Sequence, residues 1–187
     1  MTFETILSIF LGIGLAASVG FRIFLPLFAL SLAAYLNLWE LNEKWEWIGS
    51  LAALITFGVA TIVEIFAYFI PWLDNLLDSF AVPMAALAGT AVMVSTASNL
   101  DPVITWTLAI IAGGGTATVI KGASATGRLA STATTAGVAN PVIGLVETAT
   151  AAVVTAASIF APMLAAFLVL IILLVLFRFF RKIKPKT

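Results

Sequence analysis

Six apolar runs decide the solvent of this chain before anything else is read. Phe3 to Gly20, Trp47 to Ile70, Phe80 to Ser98, Val103 to Ile120, Val142 to Phe160 and Pro162 to Phe180 carry at most one charged residue each. A helix needs about 20 apolar residues to cross a bilayer core. Composition agrees: of 187 residues 62% are hydrophobic and 10% charged, against about 45–50% and about 25% in soluble domains. Mean hydropathy is +1.16. The expectation is an all-α, polytopic membrane protein whose residues 1–187 form a single transmembrane domain. No secretory leader is expected, because the first basic residue is Arg22 and Glu4 stands where a positive region would lie.

Between the runs lie wet or small-residue segments. Ile23 to Leu36 continues the first run after Arg22, and Pro26 is placed to kink it. Asn37 to Glu46 holds Glu40, Glu43, Lys44 and Glu46, flanked by Trp39, Trp45 and Trp47, as indoles flank headgroups. Pro71 ends the second run, and Trp72 to Ser79 is short and amphipathic, with Asp74 and Asp78 one turn apart. Lys121 to Ala139 is almost entirely Gly, Ala, Ser and Thr around Arg128. The fold expected is about six full spans plus two re-entrant or broken helical segments.

Arg178, Arg181, Lys182, Lys184 and Lys186 follow the last run, which places the C-terminus in the cytoplasm. If Lys121–Ala139 crosses fully, the acidic Asn37–Glu46 loop lies inside. If it dips in and returns, the loop lies outside, which its small residues favour. Residues 1–99 and 101–187 then read as pseudo-repeats: a span, a segment entered near an arginine, a span bearing one glutamate, a last span. Ala17 to Arg22 resembles Ala123 to Arg128. With three full spans per half the second copy is inverted, the build of many transporters.

Five ionisable residues fall inside apolar stretches: Arg22, Glu64, Lys121, Arg128 and Glu147. Each costs about 2.5–3.5 kcal/mol at a helix centre. They pair as structural ions, Arg22 with Glu64 and Arg128 with Glu147 or crosswise, or they line a polar path, where Glu64 or Glu147 would relay protons. Lys121 is expected to snorkel to the interface. Gly20 and Gly127, beside the two arginines, would let backbone approach a ligand, and an arginine at a helix N-terminus favours an anion. Two small-residue faces, Gly12-Ala16-Gly20 and Ala123-Gly127-Ser131-Thr135, read first as helix-packing surfaces. Asp74 and Asp78 make a poor metal site and read better as a solvated turn. Asn140, with Pro141, is similar to the Asn-Pro of water channels, without a copy in the first half.

Gly20-Phe21-Arg22-Ile23-Phe24-Leu25-Pro26-Leu27 resembles the opening motif of an uncharacterised bacterial integral-membrane family, domain of unknown function 4126. Glu64 with Pro71, Asp74 and Asp78, and Asn140-Pro141 with Glu147, resemble its other recurring positions. Members often carry a lysine or aspartate just before the proline that matches Pro71, where this chain reads Phe66 to Ile70. The resemblance implies a bacterial inner (plasma) membrane location and no activity.

With no cysteine and no histidine, disulfides, thiol chemistry and most transition-metal sites are excluded. No catalytic constellation stands out, so no enzyme, metal or cofactor is expected. The basic tail alone gives no ground for nucleic-acid binding. The partners expected are the lipid bilayer, a small polar or anionic solute, and further copies of the chain. A small transporter or channel is the favoured reading; a scramblase-like lipid handler or a non-catalytic scaffold is the alternative.

Overall fold

The computed structural model describes residues 2–67, 70–98 and 100–183, apart from the side chains of residues 71–75, 78, 179, 180, 182 and 183. The side chains of Asp74 and Asp78 therefore lie outside the described residues, as do Lys184 and Lys186. The elements are α1 (Phe3–Phe21), α2 (Phe24–Tyr35), a 3-10 turn (Glu43–Gly49), α3 (Leu51–Ala67), α4 (Pro71–Thr96), α5 (Pro102–Leu108), a π-helical stretch (Ala109–Gly114), α6 (Gly115–Thr135), α7 (Asn140–Phe160) and α8 (Pro162–Ile183). No strand occurs among the described residues.

Local chemistry sets the boundaries. Thr2 caps α1, its side chain accepting from the Thr5 amide at 3.2 Å. Asp101 caps α5 through the Val103 amide at 2.8 Å, with Pro102 in the first turn, where a missing N–H costs nothing. Pro26 likewise sits in the first turn of α2, so it starts that helix and does not kink it. Ser50 accepts from the Ala53 amide, and the chain bends by 62° between the 3-10 turn and α3. The run from Trp47 to Ile70 is thus bent, not straight. Trp72 to Ser79 is not a separate element: Pro71 opens one 26-residue α4 that runs through it.

No boundary falls at Lys121. α5, the π-helical stretch and α6 form one helical run, Pro102–Thr135, because no proline interrupts the Gly/Ala/Ser/Thr segment and alanine favours helix. It stops at Ala136 and Gly137, whose φ angles of 52° and 84° are left-handed. The π-helical stretch sits where Gly113 crosses Gly89 of α4. A Cβ on Gly113 would lie 2.5 Å from the Gly89 carbonyl oxygen, so only paired glycines permit that approach.

Helix α1 is the axis of the bundle, with Leu11, Leu15, Ala16, Ala17 and Val19 fully buried. Its glycines admit the neighbours. A Cβ on Gly12 would lie 2.5 Å from Met93 of α4, and one on Gly20 2.6 Å from Ile120 of α6. Gly14 faces Ser158 of α7 and Ala165 of α8. The small face of α1 therefore packs helices as expected. That of α6 does not: Gly127 is exposed with nothing within 4 Å of its absent Cβ.

The outside of the bundle is apolar. Ile55, Val59, Ile62 and Phe66 form one stripe on α3, and Leu170, Leu174 and Phe177 one on α8, all more than half exposed. Belts of this extent have lipid as their natural solvent. Four helical stretches are long and apolar enough to cross a membrane: Phe3–Phe21, Ser79–Thr96, Pro102–Thr135 and Asn140–Phe160. The bent unit containing α3 makes a fifth if counted as one span, while α2 and the apolar part of α8 are shorter. The chain is a multi-pass helical membrane protein.

Its two ends carry opposite charge. Glu4, Glu40, Glu43 and Glu46 surround an open cavity of about 1080 Å³ that Ser8 and Ser98 also line. Trp39 joins this end to the end of α7 by donating to the Ile159 carbonyl at 3.0 Å. Arg22, Lys121 and Arg128 lie at the far end of α1. There Leu173 and Leu176 of α8 pack against the cluster that holds Ala17 and Ile120, so Arg178 and Arg181 project from the same end. The acidic loop and the C-terminal helix end are at opposite ends of the bundle.

Gly20→Val is expected to lower stability by about 1–3 kcal/mol, the cost of overpacking, read as a lower melting temperature in detergent. Gly127→Val is expected to change it by less than about 0.5 kcal/mol. Equal effects at the two positions would contradict this packing.

Candidate buried charge cluster at the helix break

The site begins with an interruption. Helix α1 ends at Phe21, Arg22 is extended with φ −135° and ψ 126°, and α2 starts at Phe24. Such a break leaves carbonyls at the end of α1 and amides at the start of α2 without helical partners. Two buried side chains from other helices meet them. Glu64 of α3 accepts from the Ile23 amide at 2.8 Å and from the Phe24 amide at 3.0 Å. Lys121 of α6 donates to the Phe21 carbonyl at 3.0 Å. A carboxylate thus faces the positive end of α2 and an ammonium the negative end of α1, both favourable to the helix dipoles.

Arg22 itself turns towards α7. Its Nε donates to Thr148 Oγ1 at 2.8 Å and its Nη2 to the Gly144 carbonyl at 2.6 Å. Arg128 of α6 forms an ion pair with Glu147 of α7, and Ser124 donates to the same carboxylate. The spacing explains the convergence. Lys121, Ser124 and Arg128 lie three and four residues apart on one face of α6, and Gly144, Glu147 and Thr148 do so on α7. Gly144 is where the two halves of the chain meet. A Cβ there would lie 3.3 Å from Arg22 Nη2 and 3.7 Å from Arg128 Nη2.

All five ionisable residues singled out in the sequence are buried, at 1–5% exposure, and three helices plus the break bring them to one region. Arg128 pairs with Glu147 as expected. Among the described residues no ion pair joins Arg22 to Glu64, because the broken helix offers Glu64 two backbone amides. Lys121 does not snorkel: it is 2% exposed, held inward by the Phe21 carbonyl. Gly20 approaches Ile120 and leaves no ligand space, and Gly127 faces outwards. Asn140 lies about 10 Å along α7 from Glu147, donating to Thr132 at 3.0 Å. Ser124, Gly144 and Thr148 also join the cluster, and none of them stands out in the sequence. Helical periodicity around Arg128 and Glu147 is the signal that could have found them.

A polar seam leads away from the cluster between α1 and α7. Ser18 donates to the Ala151 carbonyl at 2.8 Å and lies 2.6 Å from Thr155 Oγ1. Between this seam and the acidic cavity, Leu11 and Leu15 are fully buried, so packed apolar side chains close the route along α1. Among the described residues no group of three acidic, histidine or cysteine side chains is placed to hold a metal ion.

Arg128→Ala leaves the Glu147 carboxylate buried without its cation, and should cost about 3–5 kcal/mol in thermal or denaturant unfolding in detergent. Arg128→Leu combined with Glu147→Leu should recover most of that loss. A double variant as unstable as the sum of its two single variants would show that the ions do not act as a pair.

The model of the family described as Domain of unknown function (DUF4126) matches residues 9–182. No curated protein and no solved structure matches the chain. The matched segment contains the helix break and all five buried ionisable residues, and on that match the chain belongs to the DUF4126 family.

Proposed function

We propose that this protein is a small transporter or channel for a polar, anionic solute, and that its solute site is the charge cluster at the α1–α2 break. The observation that carries the reading is the convergence of Arg22 and Arg128 on Gly144 inside an apolar bundle. Ionisable groups at membrane depth mark solute and ion paths by default. Discontinuous helices supply such sites with backbone dipoles as well as side chains. Arginine is the side chain best suited to an oxyanion, and a solute here would exchange with the Thr148, Gly144 and Glu147 oxygens that the two guanidiniums already bond. The closed apolar stretch between the cluster and the acidic cavity fits an alternating-access cycle caught with one side shut.

The same reading includes the finer architecture: about six spans, with halves 1–99 and 101–187 related as inverted repeats. Its support is that each half sends one glutamate, Glu64 or Glu147, to a segment marked by an arginine. We place the basic end in the cytoplasm of a bacterial inner membrane, with lipid and the solute as partners, further copies of the chain alongside, and no enzymatic turnover.

Proteoliposomes loaded with phosphate, sulfate or acetate test this. One of these anions should leave faster than from protein-free liposomes. Arg22→Ala or Arg128→Ala should slow release about tenfold or more, the consequence of losing a charge-assisted bond of about 1.5–3 kcal/mol. Gly144→Ala should slow it with little loss of stability. Release that all three variants leave unchanged would remove these residues from the path. Movement of labelled lipid without anion release would favour the lipid-handling alternative.

A further inference from the structure

A groove of about 400 Å³ runs between α6 and α8 on the outer face, walled by Val119, Leu170, Leu173, Leu174, Leu176 and Phe177. Every wall residue is apolar, and Val119, Leu170, Leu174 and Phe177 are at least half exposed. Phe177 lies seven residues after Leu170 on α8, so the groove extends about 10 Å along that helix. Leu170, Leu174 and Phe177 share one helical face. Arg178 lies four residues beyond Leu174 and Arg181 four beyond Phe177, which continues the wall past the end of the groove. Both arginines are exposed. Because α8 runs towards the basic end of the bundle, they stand on the interface side and the groove on the bilayer side.

That order, cations at the interface and an apolar slot leading inwards, matches the layout of one phospholipid. We propose that the α6–α8 groove binds an anionic phospholipid of the leaflet at the basic end, one acyl chain in the slot and its phosphate on Arg178 and Arg181. A zwitterionic headgroup carries an ammonium that the arginines repel, so the site selects for net negative charge. The assignment does not depend on what the buried cluster transports.

The full chain, purified in detergent, is examined by native mass spectrometry with phosphatidylglycerol and phosphatidylcholine of identical acyl chains. The wild type should retain phosphatidylglycerol in preference by about tenfold. Arg178→Gln and Arg181→Gln should each reduce that preference about fivefold. Val119→Phe, which fills the slot and keeps both arginines, should lower retention of both lipids. Inorganic phosphate should displace neither. Each variant is checked for monodisperse elution, so that a misfolded arginine variant leaves Val119→Phe to decide. Equal retention of the two lipids by the wild type overturns the proposal. So does displacement by inorganic phosphate, which indicates a free-anion site, or a lipid-free dimer, which indicates that a second copy covers the groove.

Discussion

A buried peptide group without a hydrogen-bond partner costs several kcal/mol, and this chain creates a set of them between Phe21 and Phe24. Glu64 and Lys121 answer that cost from two other helices, at 2.8–3.0 Å. Each of those charges would itself be expensive in lipid. The broken backbone and the buried ions therefore stabilise each other, and neither is tolerable alone. The arrangement ties α1, α2, α3 and α6 together at one level. Arg22, pointing out of the break into α7, adds the fifth helix.

The rest of the packing serves that junction. Glycines at 12, 14 and 20 bring α4, α7, α8 and α6 close against α1. Gly89 and Gly113 do the same between α4 and the π-helical stretch, and set the course of the long helix that delivers Lys121, Ser124 and Arg128. Charges outside the bundle sort by end. The acidic cavity collects Glu4, Glu40, Glu43 and Glu46, and the opposite end collects the arginines of α8.

Much of this was legible in the sequence. The break follows from an arginine between two apolar runs, and the five buried ions from their placement within such runs. Pro141 stands in the first turn of α7, where proline is tolerated. What could not be read was three-dimensional. Nothing in the letters says that Glu64 prefers two backbone amides to a guanidinium, since that choice exists only once α3 lies beside the break. Lys121 looked like an interfacial residue because composition changes there, yet the helix continues through it and turns its side chain inwards. The two faces of small residues were indistinguishable by spacing: one packs helices and the other leaves Gly127 exposed, and the difference lies in which neighbours the topology supplies. Ser124, Gly144 and Thr148 carry no signal as residue types and gain their roles from periodicity around charged neighbours.

The proposed solute site requires that the cluster at the break be reachable from water and favour anions. The chain has no native cysteine, so Thr148→Cys places one thiol beside Arg22 on an otherwise silent background. Its rates of modification by a negatively and a positively charged methanethiosulfonate are compared in membranes. Faster reaction with the negatively charged reagent, reduced by an excess of the transported anion, is the result this account predicts. A thiol that neither reagent reaches from either side of the membrane would make the cluster a sealed structural core and contradict it.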